Sequence, residues 1–151
     1  MKYISDFPYE VEVVEDWIPL SDGTRLWMKA WLPKTEEKVP VILEYLPYRA
    51  GDWTWPRDSE RHPYYAGHGY ASVRVDIRGH GNSEGVPGDE YDAQEHADGV
   101  EVINWLASRE WSNGNVGMFG ISWGGFNSLQ LAYLQPEPLK AIVTVCSTDD
   151  R

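Results

Sequence analysis

Gly120-Ile-Ser-Trp-Gly124 fits the pattern Gly-x-Ser-x-Gly, which raises a serine hydroxyl on a sharp turn between a strand and a helix. Both flanks suit that context. Val116–Phe119 is short and apolar and follows the turn residues Ser112-Asn-Gly-Asn115, which predicts a strand. Phe126–Tyr133 places Phe126, Leu129, Ala132 and Tyr133 at helical spacing and stops before Pro136, which predicts a helix. The glycines at 120 and 124 leave out side chains that would collide inside such a turn. Ser122 is therefore the candidate nucleophile for acyl transfer. The backbone N–H of Trp123 is the candidate first donor to the oxyanion that forms on attack. A second donor is expected from the loop after the Val41–Tyr45 strand, where Tyr48 sits.

A serine hydroxyl needs a base, ordinarily a histidine oriented by a carboxylate. Where this turn carries out acyl transfer, the acid and then the histidine follow the serine in the chain. Here His62, His68, His80 and His96 all precede Ser122, and only Glu137, Asp149 and Asp150 follow it as carboxylates. His80 is the best stand-in base, because its loop should leave the same sheet edge as Ser122. Asp149 is the matching candidate acid. His96, beside Glu95, reads as solvent-facing.

The elements that must position these residues begin with two strands, Val11–Leu20 and Thr24–Leu32, joined by the hairpin signal Ser21-Asp-Gly23. In the second, Leu26, Met28, Ala30 and Leu32 share a face, while Trp27 and Trp31 make the other face apolar too. A charged connector, Pro33–Pro40, leads to the Val41–Tyr45 strand. A long loop with Trp53 and Trp55 follows, then a short helix from Arg61 to Gly67. Tyr70–Asp76 predicts a strand and Arg78–Gly85 a loop. Asp92 predicts a cap, with Glu95 three residues on, for a helix reaching about Arg109. Its apolar face would comprise Ala93, Ala97, Val100, Ile103 and Ala107. Lys140–Cys146, apolar on both faces, reads as a strand from the middle of a parallel sheet. The order predicts an α/β fold: a mostly parallel sheet with an antiparallel N-terminal hairpin, with residues 1–40 as hairpin and connector and 41–151 as the α/β core.

The chain has 151 residues, which suits one domain, and a net charge of −11 without a basic patch, which argues against nucleic-acid binding. Its single cysteine, Cys146, cannot form an internal disulfide, and no metal-ligand spacing appears. No signal peptide or membrane-spanning run is evident, so a cytoplasmic protein without membrane association is expected. Nothing in the residues calls for a cofactor or a metal. The glycines of Gly79-His-Gly81 and Gly85 do not fit the dinucleotide fingerprint, and no Walker lysine appears.

Four segments together resemble the N-terminal part of the catalytic domain of the X-Pro dipeptidyl-peptidase and cocaine esterase family of serine hydrolases. They are Leu46–Arg49, Val75–Gly85, Asn104–Leu106 through Trp111–Gly114, and Val116–Gly125. The resemblance implies an α/β-hydrolase fold cut off after the strand following the nucleophile helix. It implies that Ser122 accepts the acyl group and that the Tyr48 hydroxyl joins the Trp123 amide in the oxyanion hole. The family often has tyrosine where Trp123 stands. The implied partner is a small ester or short peptide, with homo-oligomerisation of a full-length form left open. The lid helices, the acid, the histidine and the C-terminal jelly-roll domain of many members are absent from these 151 residues. Loss of the triad histidine costs on the order of 10⁶ in kcat. The competing expectation is therefore a non-catalytic or incomplete fragment that binds or assembles.

Overall fold

The computed structural model describes residues 6–149. Nine elements follow one another: β1 (Val11–Pro19), β2 (Arg25–Pro33), β3 (Val39–Leu46), α1 (Trp55–Gly67), β4 (Ala71–Asp76), α2 (Ala93–Ala107), β5 (Ser112–Ile121), α3 (Trp123–Leu134) and β6 (Leu139–Val145). The strands form one sheet in the order β1-β2-β4-β3-β5-β6. β1 and β2 pair antiparallel, as do β2 and β4, and the other pairs are parallel. The α/β architecture with its antiparallel hairpin is the one the sequence predicts. The hairpin turn closes through Gly23 at φ +89°, whose N–H donates to the Leu20 carbonyl at 3.0 Å.

Strand alternation divides the sheet into two unlike faces. On one, Met28, Ala30, Val41, Leu43, Val73, Val75, Val116 and Met118 join Val102, Ile103 and Leu106 of α2 and Leu131 of α3 in the apolar core. On the other, α1 covers a charged layer. Glu44, Ser72 and Arg74 alternate with those apolar positions, are fully buried, and meet Asp58 and His62 of α1.

The structure departs from the sequence expectations in several places. Helix α1 starts at Trp55 rather than near Arg61; Pro56 occupies its first turn, where a missing N–H costs nothing. Its polar composition and the internal Pro63 hide it from a search for apolar periodicity. β5 runs through Ser112–Asn115, which the sequence marks as a turn, because Val39 pairs with Ser112 ahead of a register shift. The buried face of α2 is Glu95, Asp98, Gly99, Val102, Ile103 and Leu106, rotated from the expected alanine-containing face. Two buried carboxylates with dedicated partners displace the apolar pattern there. Helix α3 likewise turns Gly124, Gly125, Asn127, Ser128 and Leu131 inward and leaves Tyr133 exposed. Small residues let it lie close to the sheet, where Asn127 Nδ2 donates to the Tyr45 carbonyl at 3.3 Å. Among the described residues β6 is an edge strand, with Val143 62% exposed.

Candidate active site

The turn from β5 into α3 forces Ser122 into a backbone conformation that few L-residues adopt, φ +57° and ψ −120°, and leaves it exposed. Two backbone bonds hold it there. The Ser122 N–H donates to the Val145 carbonyl, and the Ser122 carbonyl accepts from the Phe126 N–H, both at 2.9 Å. The glycine spacing follows from steric contact. A Cβ on Gly120 would lie 2.2 Å from the Gly124 carbonyl carbon, and one on Gly124 would lie 3.0 Å from the Leu46 side chain. A Cβ on Gly125 would lie 2.7 Å from the Ser147 hydroxyl.

Trp123 is the first residue of α3, so its N–H is among the donors an α-helix leaves without an internal partner. Its indole is anchored: Nε1 donates to Glu95 Oε1 at 2.7 Å, and the ring packs against Tyr91 at 5.2 Å between centroids. Glu95 is itself fixed. Its N–H donates to the Asp92 cap at 2.7 Å, while its carboxylate accepts from the Tyr91 N–H at 3.1 Å. The Asp92 cap is the one the sequence predicts, but Glu95 reaches Tyr91 rather than Asp92 itself.

Tyr48 lies two residues beyond β3, half-buried, in a loop that leaves the same sheet edge as Ser122 from the neighbouring parallel strand. Arg49 beside it sits at φ +43°. The topology thus brings Ser122, Trp123 and Tyr48 to one edge.

Each histidine has contacts of its own. His80 Nδ1 contacts the Arg78 carbonyl at 2.9 Å, and its ring meets Trp123 edge-on. His62 is fully buried, stacked on Trp31 at 4.5 Å with Nδ1 2.7 Å from Ser72 Oγ. His68 Nδ1 contacts the Tyr64 carbonyl at 2.7 Å. His96 is half-buried rather than solvent-facing, with Nε2 2.7 Å from Gln130 Oε1. Asp149 is exposed beyond β6, and Asp150 lies outside the described residues.

Several residues around the site escape sequence reasoning. Ligand atoms of Glu44, Asp58 and His62 lie within 4.8 Å of one another, a spacing a metal ion could span. Guanidinium groups already fill that role: Arg57 and Arg61 reach Glu44 at 2.8 and 3.3 Å, and Arg57 and Arg74 reach Asp58 at 2.7 and 3.3 Å. The sequence signal for this layer is Glu44 and Arg74 standing inside otherwise apolar strands. Arg78 binds Asp98 through two nitrogens at 2.7 and 2.8 Å and also reaches Asp22 at 2.9 Å, which pushes its pKa further upward. That clamp ties the loop after β4 to α2 and to the hairpin turn. No helix among the described residues is long and apolar enough to cross a membrane.

The family model for X-Pro dipeptidyl-peptidase (S15 family) matches residues 22–151. The cocaine esterase of a Rhodococcus species is 35% identical over 136 residues, covering 88% of this chain and 23% of that protein. Among solved structures, a CocE/NonD family hydrolase from Staphylococcus aureus superposes with a TM-score of 0.79 at 26% identity, covering 88% of this chain and 27% of that one. An aminopeptidase from a marine-sediment thaumarchaeote gives a TM-score of 0.71 at 25% identity, covering 94% of this chain and 26% of that one. The chain therefore spans about a quarter of the length of these relatives. The sheet that carries Ser122 is thus shared with a solved hydrolase, and the chain belongs to the X-Pro dipeptidyl-peptidase (S15) family.

Proposed function

We propose that this chain supplies the nucleophile and oxyanion hole of a serine hydrolase acting on esters or peptide amides. The observation that carries the reading is the strained, exposed backbone at Ser122, locked between β5 and α3. Ser122 Oγ attacks the substrate carbonyl carbon and gives up its proton to a base. Negative charge collects on the carbonyl oxygen, where the Trp123 N–H and the Tyr48 hydroxyl donate to it. Collapse expels the alcohol or amine with a proton and leaves an acyl-serine, which water then hydrolyses. Each oxyanion donor contributes roughly 3–4 kcal/mol in the transition state. We place the base and its carboxylate outside these 151 residues, because the triad order puts the histidine after the serine and no histidine follows Ser122.

The lack of a histidine after Ser122 in this stretch favours a second reading, in which the 151 residues alone bind or assemble without turnover. A fluorophosphonate probe applied to the product of the complete reading frame separates the two. Labelling at Ser122 that disappears in Ser122→Ala and slows roughly 10²–10³-fold in Tyr48→Phe fits the hydrolase. Labelling that persists in Ser122→Ala, or no labelling of a folded product, contradicts it and favours the binding module.

A further inference from the structure

The most specific unassigned arrangement lies behind the Tyr48 loop. Asp76 ends β4 and is fully buried. Its Oδ1 accepts from the Ala50 N–H at 3.0 Å, and its Oδ2 accepts from the Asn82 N–H at 3.3 Å. One carboxylate thus holds two loops, the one carrying Tyr48 and the one carrying His80. Arg74 fixes it from behind, with Nη2 at 3.4 Å from Oδ1, while Nη1 donates to the Leu46 carbonyl at 3.3 Å. Gly81 is part of the same device. It sits at φ +57°, and a Cβ there would lie 1.9 Å from Asp76 Oδ2. Ser83 closes the turn, with Oγ donating to the Asp76 carbonyl at 2.6 Å.

We infer that Asp76 is a positioning residue for the oxyanion hole. By binding the Ala50 amide it sets the path of Leu46–Ala50 and with it the place of the Tyr48 hydroxyl. The inference rests on the proposed role of Tyr48. An unbraced loop with Arg49 in a left-handed conformation would relax, and donors contribute fully only when they need no reorganisation during reaction. Thr54 adds a minor tether: its hydroxyl bridges Asp58 at 3.0 Å and the Tyr48 carbonyl at 3.5 Å.

The test has two arms on the product of the complete reading frame. In the first, amide hydrogen exchange of the wild type should show Ala50 and Asn82 protected and opening together, and Asp76→Asn should speed both at least tenfold. Free exchange of either amide in the wild type overturns the clamp, and that readout needs no variant to fold. In the second, the rate of Ser122 phosphonylation is measured in Asp76→Asn, Tyr48→Phe and the double variant. Asp76→Asn should slow it at least tenfold alone and less than twofold on top of Tyr48→Phe, because it acts through that hydroxyl. A full multiplicative effect in the double variant, or an unchanged rate in Asp76→Asn, overturns the inference. If wild-type Ser122 does not react, the hydrolase reading fails by itself, and the exchange arm still decides whether Asp76 holds both loops.

Discussion

Asp76 also has a signature in stability. Burial raises its carboxyl above the usual aspartate range, and Arg74 and the Ala50 and Asn82 amides offset part of that rise; Asp58 adds to it. The folded chain therefore keeps this proton to higher pH than the unfolded chain, whose value is near 3.8. Between the two pKa values the folded state binds more protons, so this group's contribution is full below the unfolded value and falls as pH rises through the folded one. Asp76→Asn abolishes the titration. The melting temperature of the wild type minus that of Asp76→Asn should fall as pH climbs from below 4 to neutrality, by differential scanning calorimetry. A flat or rising difference contradicts the burial argument. Ser122 was legible because its motif and both flanks lie within a short stretch of chain. Asp76 was not, because its partners come from residues 26 positions earlier and 6 later, and no local pattern links them.

The strand-turn-helix unit around Ser122 depends on an absence of side chains. Gly120→Ala places a methyl 2.2 Å from the Gly124 carbonyl carbon, backbone that cannot move aside without unwinding the first turn of α3. The expected cost is about 3 kcal/mol or more, at the upper end for overpacking. Urea unfolding should report it as a lower midpoint with an unchanged slope. A midpoint within error of the wild type would mean that the turn relaxes freely. Helix identity was readable from capping at Asp92 and from the stop before Pro136, but helix orientation was not. Asp98 and Glu95 of α2 are buried because Arg78 and Trp123 wait for them. Asn127 and Ser128 of α3 face inward to bond the Tyr45 and Gly124 carbonyls. Apolar periodicity assigns such residues to the wrong side.

Across the molecule the sheet is unevenly covered. Helices α2 and α3 close one face, and α1 packs mainly on β4 and β2 of the other. Along β5 and β6 that leaves an apolar cavity of about 540 Å³, lined by Tyr65, Met118, Phe119, Ile142 and Val143 among others. With β6 at the sheet edge among the described residues, its outer backbone groups have no strand partner there and lie beside this surface, a combination that favours edge-to-edge association. The 151-residue chain should self-associate with rising concentration through a second copy, and Val143→Lys should shift it toward monomer in sedimentation velocity. A wild type that stays monomeric at about 100 µM would show that this edge is protected.

What the sequence determined by itself was local: the serine on its glycine-spaced turn, the hairpin at Ser21–Gly23, the Asp92 cap and the alternation of strands and helices. Each is set by contacts within a few residues, where steric exclusion and hydrogen-bond geometry act without the rest of the chain. Tertiary structure alone decided which polar side chains enter the interior. Glu44, Arg74, Asp76, Asp98 and His62 are buried because partners distant in sequence compensate their desolvation. It also decided the strand order β1-β2-β4-β3-β5-β6. Neighbours in a parallel sheet are fixed by crossovers, and hydrophobic pattern carries no record of them.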